Sequence, residues 1–126
     1  MHFFMPMKPP TVTHQEKKIR VVSGKPVVYE PAELKAAREK LTAAVAAYAP
    51  AEPFTGPLRL DTKWIWPGKT TAWKITKPDT DNLIKLLKDC MTCVGFWKDD
   101  AQVCCEITEK FTGALPGIYV EVDRIE

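Results

Sequence analysis

Proline placement constrains this chain most. A proline cannot donate to a strand ladder or continue a helix interior, so each one marks a break, an edge or a first helical position. The eleven prolines stand at 6, 9, 10, 26, 31, 50, 53, 57, 67, 78 and 116, about twice the usual share. None lies between Asp79 and Leu115. That uninterrupted block holds the most suggestive chemistry.

Between the breaks, periodicity assigns the elements. His2 to Met5 reads as a short strand, followed by an extended loop through Pro9-Pro10. Ile19 to Val22 and Pro26 to Tyr29 flank Ser23-Gly24 and predict a hairpin. Pro31 suits a first helical position, and Leu34, Ala37, Leu41, Ala44, Val45 and Tyr48 supply one apolar face to a helix over Ala32 to Ala49. Leu58, Leu60, Thr62, Trp64 and Trp66 alternate along a strand, and the two tryptophans are expected to cover a helix. Leu83, Leu86, Leu87, Cys90, Met91 and Val94 form an amphipathic stripe, with Asp79 or Asp81 to cap its start and Gly95 to end it. Ala101 to Thr112 and Ile118 to Ile125 read as strands joined by a Gly113–Gly117 turn. The expected class is α+β: one domain over residues 1–126, a mostly antiparallel sheet with two main helices packed on it.

Composition excludes several alternatives. At 126 residues and 45% hydrophobic content, the chain is too apolar for disorder and long enough for one core. Its longest uncharged stretch, Leu41 to Ala51, falls far short of the roughly 20 residues a membrane span needs. The N-terminus carries no secretory pattern, so a cytoplasmic protein with reduced thiols is expected. Cys90 and Cys93 fall on a helical pattern, whereas Cys104 and Cys105 are neighbours on a strand and point to opposite faces. Four thiols so placed cannot converge on one zinc ion, and buried thiols are the expectation.

A net charge of +2 identifies no partner, but its distribution is uneven. Lys63, Lys69, Lys74 and Lys77 crowd one acid-free stretch, and Lys17, Lys18, Arg20 and Lys25 stand against Glu16 alone. Asp79 to Asp100 instead carries five aspartates. Two basic segments and an acidic cluster suit a protein that grips a polyanion and brings metal ions to it. The plain alternative is a solvated surface with lysines in loops.

The acidic segment begins Asp79-Thr80-Asp81-Asn82, where extended chain enters a helix. Two carboxylates that close repel one another, and a divalent cation relieves the repulsion; Mg²⁺ favours one or two carboxylates, with water and phosphate completing its shell. Lys85 lies four residues after Asp81, on the same face, where it can neutralise phosphate charge. Helix capping accounts for one aspartate comfortably but not for Asp99-Asp100 beyond the helix, and a turn accounts for those. On the residues alone both readings stay open.

Taken together, D-x-D-N-x-x-K, a helix, and then Gly95-Phe96-Trp97-Lys98-Asp99-Asp100-Ala101-Gln102-Val103 resemble the signature of the RusA family of Holliday-junction resolvases, carried by bacteria and their prophages. The close match covers Lys77 to Val103. The resemblance implies a RusA-like fold and a homodimeric, Mg²⁺-dependent endodeoxyribonuclease, with Mn²⁺ as substitute and no nucleotide cofactor. Its substrate would be a four-way DNA junction, cut symmetrically during recombination and repair. Asp79, Asp81 and Asp100 would be the essential carboxylates, Asp99 their neighbour at the metal and Lys85 the catalytic lysine. Lys69, Lys74 and Lys77 occupy the place of the family's arginine-rich run, and with Lys17, Lys18, Arg20 and Trp73 they form the expected DNA-binding set. Phe96 and Trp97 are expected to plug the core or a dimer interface rather than stack on bases.

One geometric difficulty follows. A helix of about 12 residues separates its ends by roughly 18 Å. Six extended residues reach about 20 Å, so a loop from Val94 to Asp99 barely returns Asp100 to Asp79. The other route is a two-fold dimer in which one chain's Asp99-Asp100 meets its partner's Asp79 and Asp81, and this composite site is the expectation. Other functions carried forward are a related nuclease acting on forks or flaps, a junction-binding protein without catalysis, and a metal-binding or interaction module unrelated to DNA.

Overall fold

β4 (Leu58–Pro67) organises the structure, a computed structural model that describes residues 1–12 and 18–126. All five alternating residues from Leu58 to Trp66 are buried, and the side chains between them are more exposed. Thr62 is fully buried yet satisfied, because its Oγ1 accepts from Trp64 Nε1 at 2.9 Å. β4 lies in the middle of a five-stranded sheet of order β1-β7-β4-β6-β5. The other members are β1 (His2–Met5), β5 (Ala72–Trp73), β6 (Val103–Gly113) and β7 (Gly117–Arg124). β2 (Lys18–Val22) and β3 (Lys25–Tyr29) form a separate hairpin, at the place the turn signal indicates.

The pairings β1–β7, β7–β4 and β6–β5 are antiparallel, as expected for a mostly antiparallel sheet. β4 and β6, however, run parallel. The two C-terminal strands joined by the Gly113–Gly117 turn are therefore not neighbours; β4 inserts between them. A parallel pair needs a crossover connection. Residues 68–102 supply it, and they include the helix that carries the aspartates.

Both helices cover one sheet face. α1 (Ala32–Ala46) ends three residues before the expected Ala49 and buries Leu34, Leu41 and Val45. α2 (Thr80–Cys93) buries Leu83, Leu86, Leu87, Cys90 and Met91 as its stripe requires, with Asn82 and Ile84 beside them. Arg38 of α1 joins the helices, reaching Glu30 at 3.0 Å and Asp89 of α2 at 3.4 Å. Ile118, Val120 and Val122 of β7 and Phe3 and Met5 of β1 complete the core. β1 approaches β7 so closely that a Cβ at Gly117 would run into the Phe4 ring. Among the described residues no helix is long and apolar enough to cross a membrane.

Candidate active site

The chain reaches α2 along a tethered segment. The Lys74 N–H donates to the Lys110 carbonyl at 3.0 Å, and Lys74 Nζ reaches Thr76 Oγ1 at 2.9 Å. From the helix-facing side of β6, Lys110 Nζ donates to the carbonyls of Thr76 and Pro78, both at 2.7 Å. Pro78 is buried and follows a cis peptide bond. One ammonium thus holds two of the three carbonyls that precede Asp79.

Asp79 is the N-cap residue of α2, in extended conformation, yet its side chain makes no capping hydrogen bond. Asp81 lies in the first turn and is exposed, as is Lys85 one turn later. The buried stripe explains the orientation: with Leu83, Leu86 and Leu87 turned to the sheet, Asp81 and Lys85 must face solvent. Among the described residues neither carboxylate enters an ion pair. The expectation that an aspartate caps the helix is therefore corrected: Asp79 has the position and does not use its carboxylate for it. Two unspent hard-oxygen donors at a helix N-terminus fit a divalent cation.

Asp99 and Asp100 sit elsewhere. Gly95 ends α2 with φ +90°, and the Phe96 N–H returns to the Met91 carbonyl at 3.0 Å. Phe96 and Trp97 are buried, as expected of a core plug, and Trp97 Nε1 donates to Thr92 Oγ1 at 2.7 Å. The loop folds under the C-terminal end of the helix and stops there. Asp99 Oδ1 then accepts from the Ala101 N–H at 2.8 Å, capping a one-turn 3-10 helix, Asp100–Gln102. Gln102 completes a capping box: its Oε1 accepts from the Lys98 and Asp99 N–H groups, and its Nε2 donates to the carbonyls of Phe54 and Gly56.

The acidic pair is thereby pinned at the opposite end of α2 from Asp79 and Asp81, roughly 20 Å away by helix length. The same-chain route, in which the loop runs back along the helix, does not occur. Among the described residues no group of three or more His, Cys, Asp or Glu side chains is placed to hold one metal ion. A single chain brings together Asp79, Asp81 and Lys85, and leaves Asp99 and Asp100 apart.

The basic residues divide. Lys69 and Lys77 are exposed beside the aspartates in sequence, and Trp73 is 65% exposed with its ring stacked on Phe111 at 4.5 Å. Lys74 is half-buried, its Nζ 5.2 Å from the centre of the Trp66 ring. Lys63 is engaged with Glu109 at 2.8 Å, an ion pair that raises its pKa. Lys18 and Arg20 lie on β2, and Lys17 lies outside the described residues.

Two residues that serve this region were not singled out from the sequence. Gln102 had a usable signal, since D-D-A-Q from Asp99 has capping-box spacing. Lys110 had a weaker one: strand parity puts it with Glu106 and Thr108 on the face that the helices cover, an unusual place for a lysine without a duty.

Comparison with known proteins identifies the family. The family model described as "Endodeoxyribonuclease RusA" matches residues 6–123. The chain is also 31% identical over 124 residues to the "Crossover junction endodeoxyribonuclease rusA" of Lactococcus phage r1t, covering 94% of this chain and 92% of the phage protein. A match this extended takes in the frame as well as the acidic motif, and the chain belongs to the RusA endodeoxyribonuclease family.

Proposed function

We propose that this protein, acting as one functional domain over residues 1–126, is a homodimeric Mg²⁺-dependent endonuclease. It cuts symmetric strands of four-way DNA junctions during recombination and repair, in the cytoplasm of a bacterium carrying it on a phage or prophage. The observation that carries the reading is the pair of carboxylates, Asp79 and Asp81, which among the described residues enter no ion pair and share a helix end with the exposed Lys85. The family and the phage relative's name support the substrate class.

Asp79 and Asp81 of one subunit, with Asp100 and one oxygen of Asp99 from the other, would hold the metal. Bound there, Mg²⁺ (or Mn²⁺) supplies a polarised phosphodiester and a more acidic water. The protein's own groups do the rest. Lys85 presents its ammonium to the non-bridging oxygens, where negative charge accumulates during in-line attack. Lys110 holds Thr76 and Pro78, so Asp79 meets the phosphate from a braced backbone. Lys69, Lys74 and Lys77, with Lys17, Lys18 and Arg20, hold the arms through phosphates, and Trp73 offers a ring to an unpaired base at the crossover. Lysine lacks the bidentate fork of arginine, so junction shape rather than base edges sets selectivity.

The test is a panel of a mobile four-way junction, a fork, a flap and a plain duplex, each with Mg²⁺, Mn²⁺ or EDTA. Paired symmetric cuts in the junction, absent in EDTA, are expected. Asp81→Asn should abolish cutting while junction binding persists. Preferential cutting of forks or flaps overturns the substrate assignment, and undiminished cutting by Asp81→Asn removes that carboxylate from the site.

A further inference from the structure

The sheet face turned away from the helices has its own chemistry. Ile65 lies between the buried Trp64 and Trp66 of β4, so strand parity turns it to that face, and its β6 neighbour Phe111 turns with it. β5 sets Trp73 opposite Phe111, and the two rings stack. Here lies a cavity of about 290 Å³, lined by Ile65, Phe111, Gly113 and Leu115 together with Lys63 and Thr71. Gly113 helps to keep it open, because a Cβ there would come within 3.3 Å of Ile65 Cγ2 and 3.8 Å of Thr71 Oγ1. Large apolar side chains stand in the open around it. Leu115 in the cavity wall is 71% exposed, and Ile75, two residues beyond the exposed Trp73, is 93% exposed. Such a grouping marks a place where something binds.

Charge selects the occupant. Trp73 belongs to the acid-free stretch that carries Lys69, Lys74 and Lys77, and Lys69 and Lys77 are exposed. Glu109, the acid beside Phe111 on this face, is neutralised by Lys63 at 2.8 Å. The occupant is therefore flat and apolar where it meets the rings, and negative where it meets the loop. An unpaired nucleotide has both properties, a base with a π-face and a phosphate beside it. Cavities that hold drug-sized ligands run from about 300 to 1,000 Å³, so this one admits one base. We infer that the cavity seats a single unpaired base of DNA and gives the protein a metal-independent grip on single-stranded DNA, away from the aspartates. The base stacks on Trp73 among Ile65, Phe111 and Leu115, and its phosphates stay outside with Lys69 and Lys77.

This seat rests on the DNA reading above and deepens it. Lys110 and Phe111 are consecutive on β6: Lys110 faces the helices and holds Thr76 and Pro78, whereas Phe111 faces the cavity. The two functions are thus set back to back across the sheet, and neither blocks the other. Walls made largely of apolar side chains register the presence of a base more than its identity, as stacking sites do. A junction opened at its crossover offers such a base and a plain duplex does not, so the seat favours branched DNA with unpaired nucleotides at the branch.

Binding in EDTA tests the seat, since nothing is cut there. The probes are a fluorescein-labelled single-stranded oligothymidylate and its abasic counterpart of equal length, which keeps the phosphates and lacks the bases. By anisotropy the full-length protein should bind the oligothymidylate at least about fivefold more tightly, the lower value for one stacked base. Trp73→Ala and Leu115→Ser, both at exposed positions, should erase that advantage and leave the abasic affinity and the far-UV spectrum unchanged. Lys69→Ala should weaken both probes alike. Equal binding of the two probes, or an advantage that survives both variants, overturns the inference. So does a Leu115→Ser chain that loses self-association in sedimentation while keeping the base advantage, because the patch is then a contact between copies. Junction cutting in Mg²⁺ without a base advantage removes the seat and leaves the nuclease reading. A base advantage in a chain that cuts no junction does the reverse.

Discussion

Replacing Lys110 with methionine isolates what its ammonium does, because the new side chain keeps the length and apolar stem and loses the charge. Two charge-assisted hydrogen bonds of 2.7 Å disappear. Each is worth about 1.5–3 kcal/mol in a protected setting. The bond to Thr76 is exposed, so water recovers most of it; the one to the buried Pro78 leaves a carbonyl without a partner. Together they come to about 2–3 kcal/mol. If the active arrangement needs this segment in place, that energy returns as activation barrier, and a decade of rate costs about 1.4 kcal/mol. Junction cutting by Lys110→Met should then fall about 30- to 100-fold in kcat, with KM changed far less. The Mg²⁺ concentration for half-maximal rate should rise, and Lys110→Arg should restore part of the loss. The measurements are single-turnover cleavage across a Mg²⁺ titration and a thermal melt. A melting temperature lowered by several degrees with kcat and Mg²⁺ dependence unchanged would refute the reasoning, leaving Lys110 as a brace for the fold alone.

Three other outcomes are expected. Mixing Asp81→Asn with Asp100→Asn subunits should restore nicking, because each mixed dimer regains one complete site only when sites are shared; no recovery would return both carboxylates to one chain. Phe96→Ala, at a fully buried ring against Phe3 and Trp97, should cost about 3–5 kcal/mol in denaturant unfolding. Burial pushes the Cys90 thiol above its ordinary value, so Ellman's reagent at pH 8 should label Cys93 and Cys104 in the native protein and spare Cys90. Only the unfolded thiol ionises freely, so this group's effect on stability is absent below the ordinary thiol range and becomes destabilising as pH rises through it.

Elements whose pattern reports burial directly were legible. The alternation of β4 and the stripe of α2 each match a single face, and the structure buries those residues except Val94, which is half-buried at the C-cap. β6 shows why partners were not. Its helix-facing residues Glu106, Thr108 and Lys110 are polar, so alternation does not announce a buried face, and nothing local says that its neighbour will be the parallel β4. The end of α1 was overrun because Tyr48 has helical spacing, whereas its ring stacks on Phe3 at 4.4 Å from beyond the last turn. At the candidate site, spacing named the aspartates but could not show where Asp99 and Asp100 lie. Their placement is set by Phe96 and Trp97 diving into the core and by Gln102 gripping Phe54 and Gly56, contacts distant in sequence.

The crossover between β4 and β6 has a consequence for how such a protein can change. Residues 68–102 leave the frame at one strand and re-enter it at the adjacent one, and they carry the basic loop, both acidic pairs and Lys85. Drift among the exposed residues of that single cassette can retune which branched substrate is gripped and cut, while Asp89 against Arg38 and Phe96 against Phe3 keep it fastened to α1 and β1. Conversely, lengthening its last turn would shift the acidic pair relative to the strand that follows, so insertions should be tolerated near Lys69 and excluded between Gly95 and Gln102.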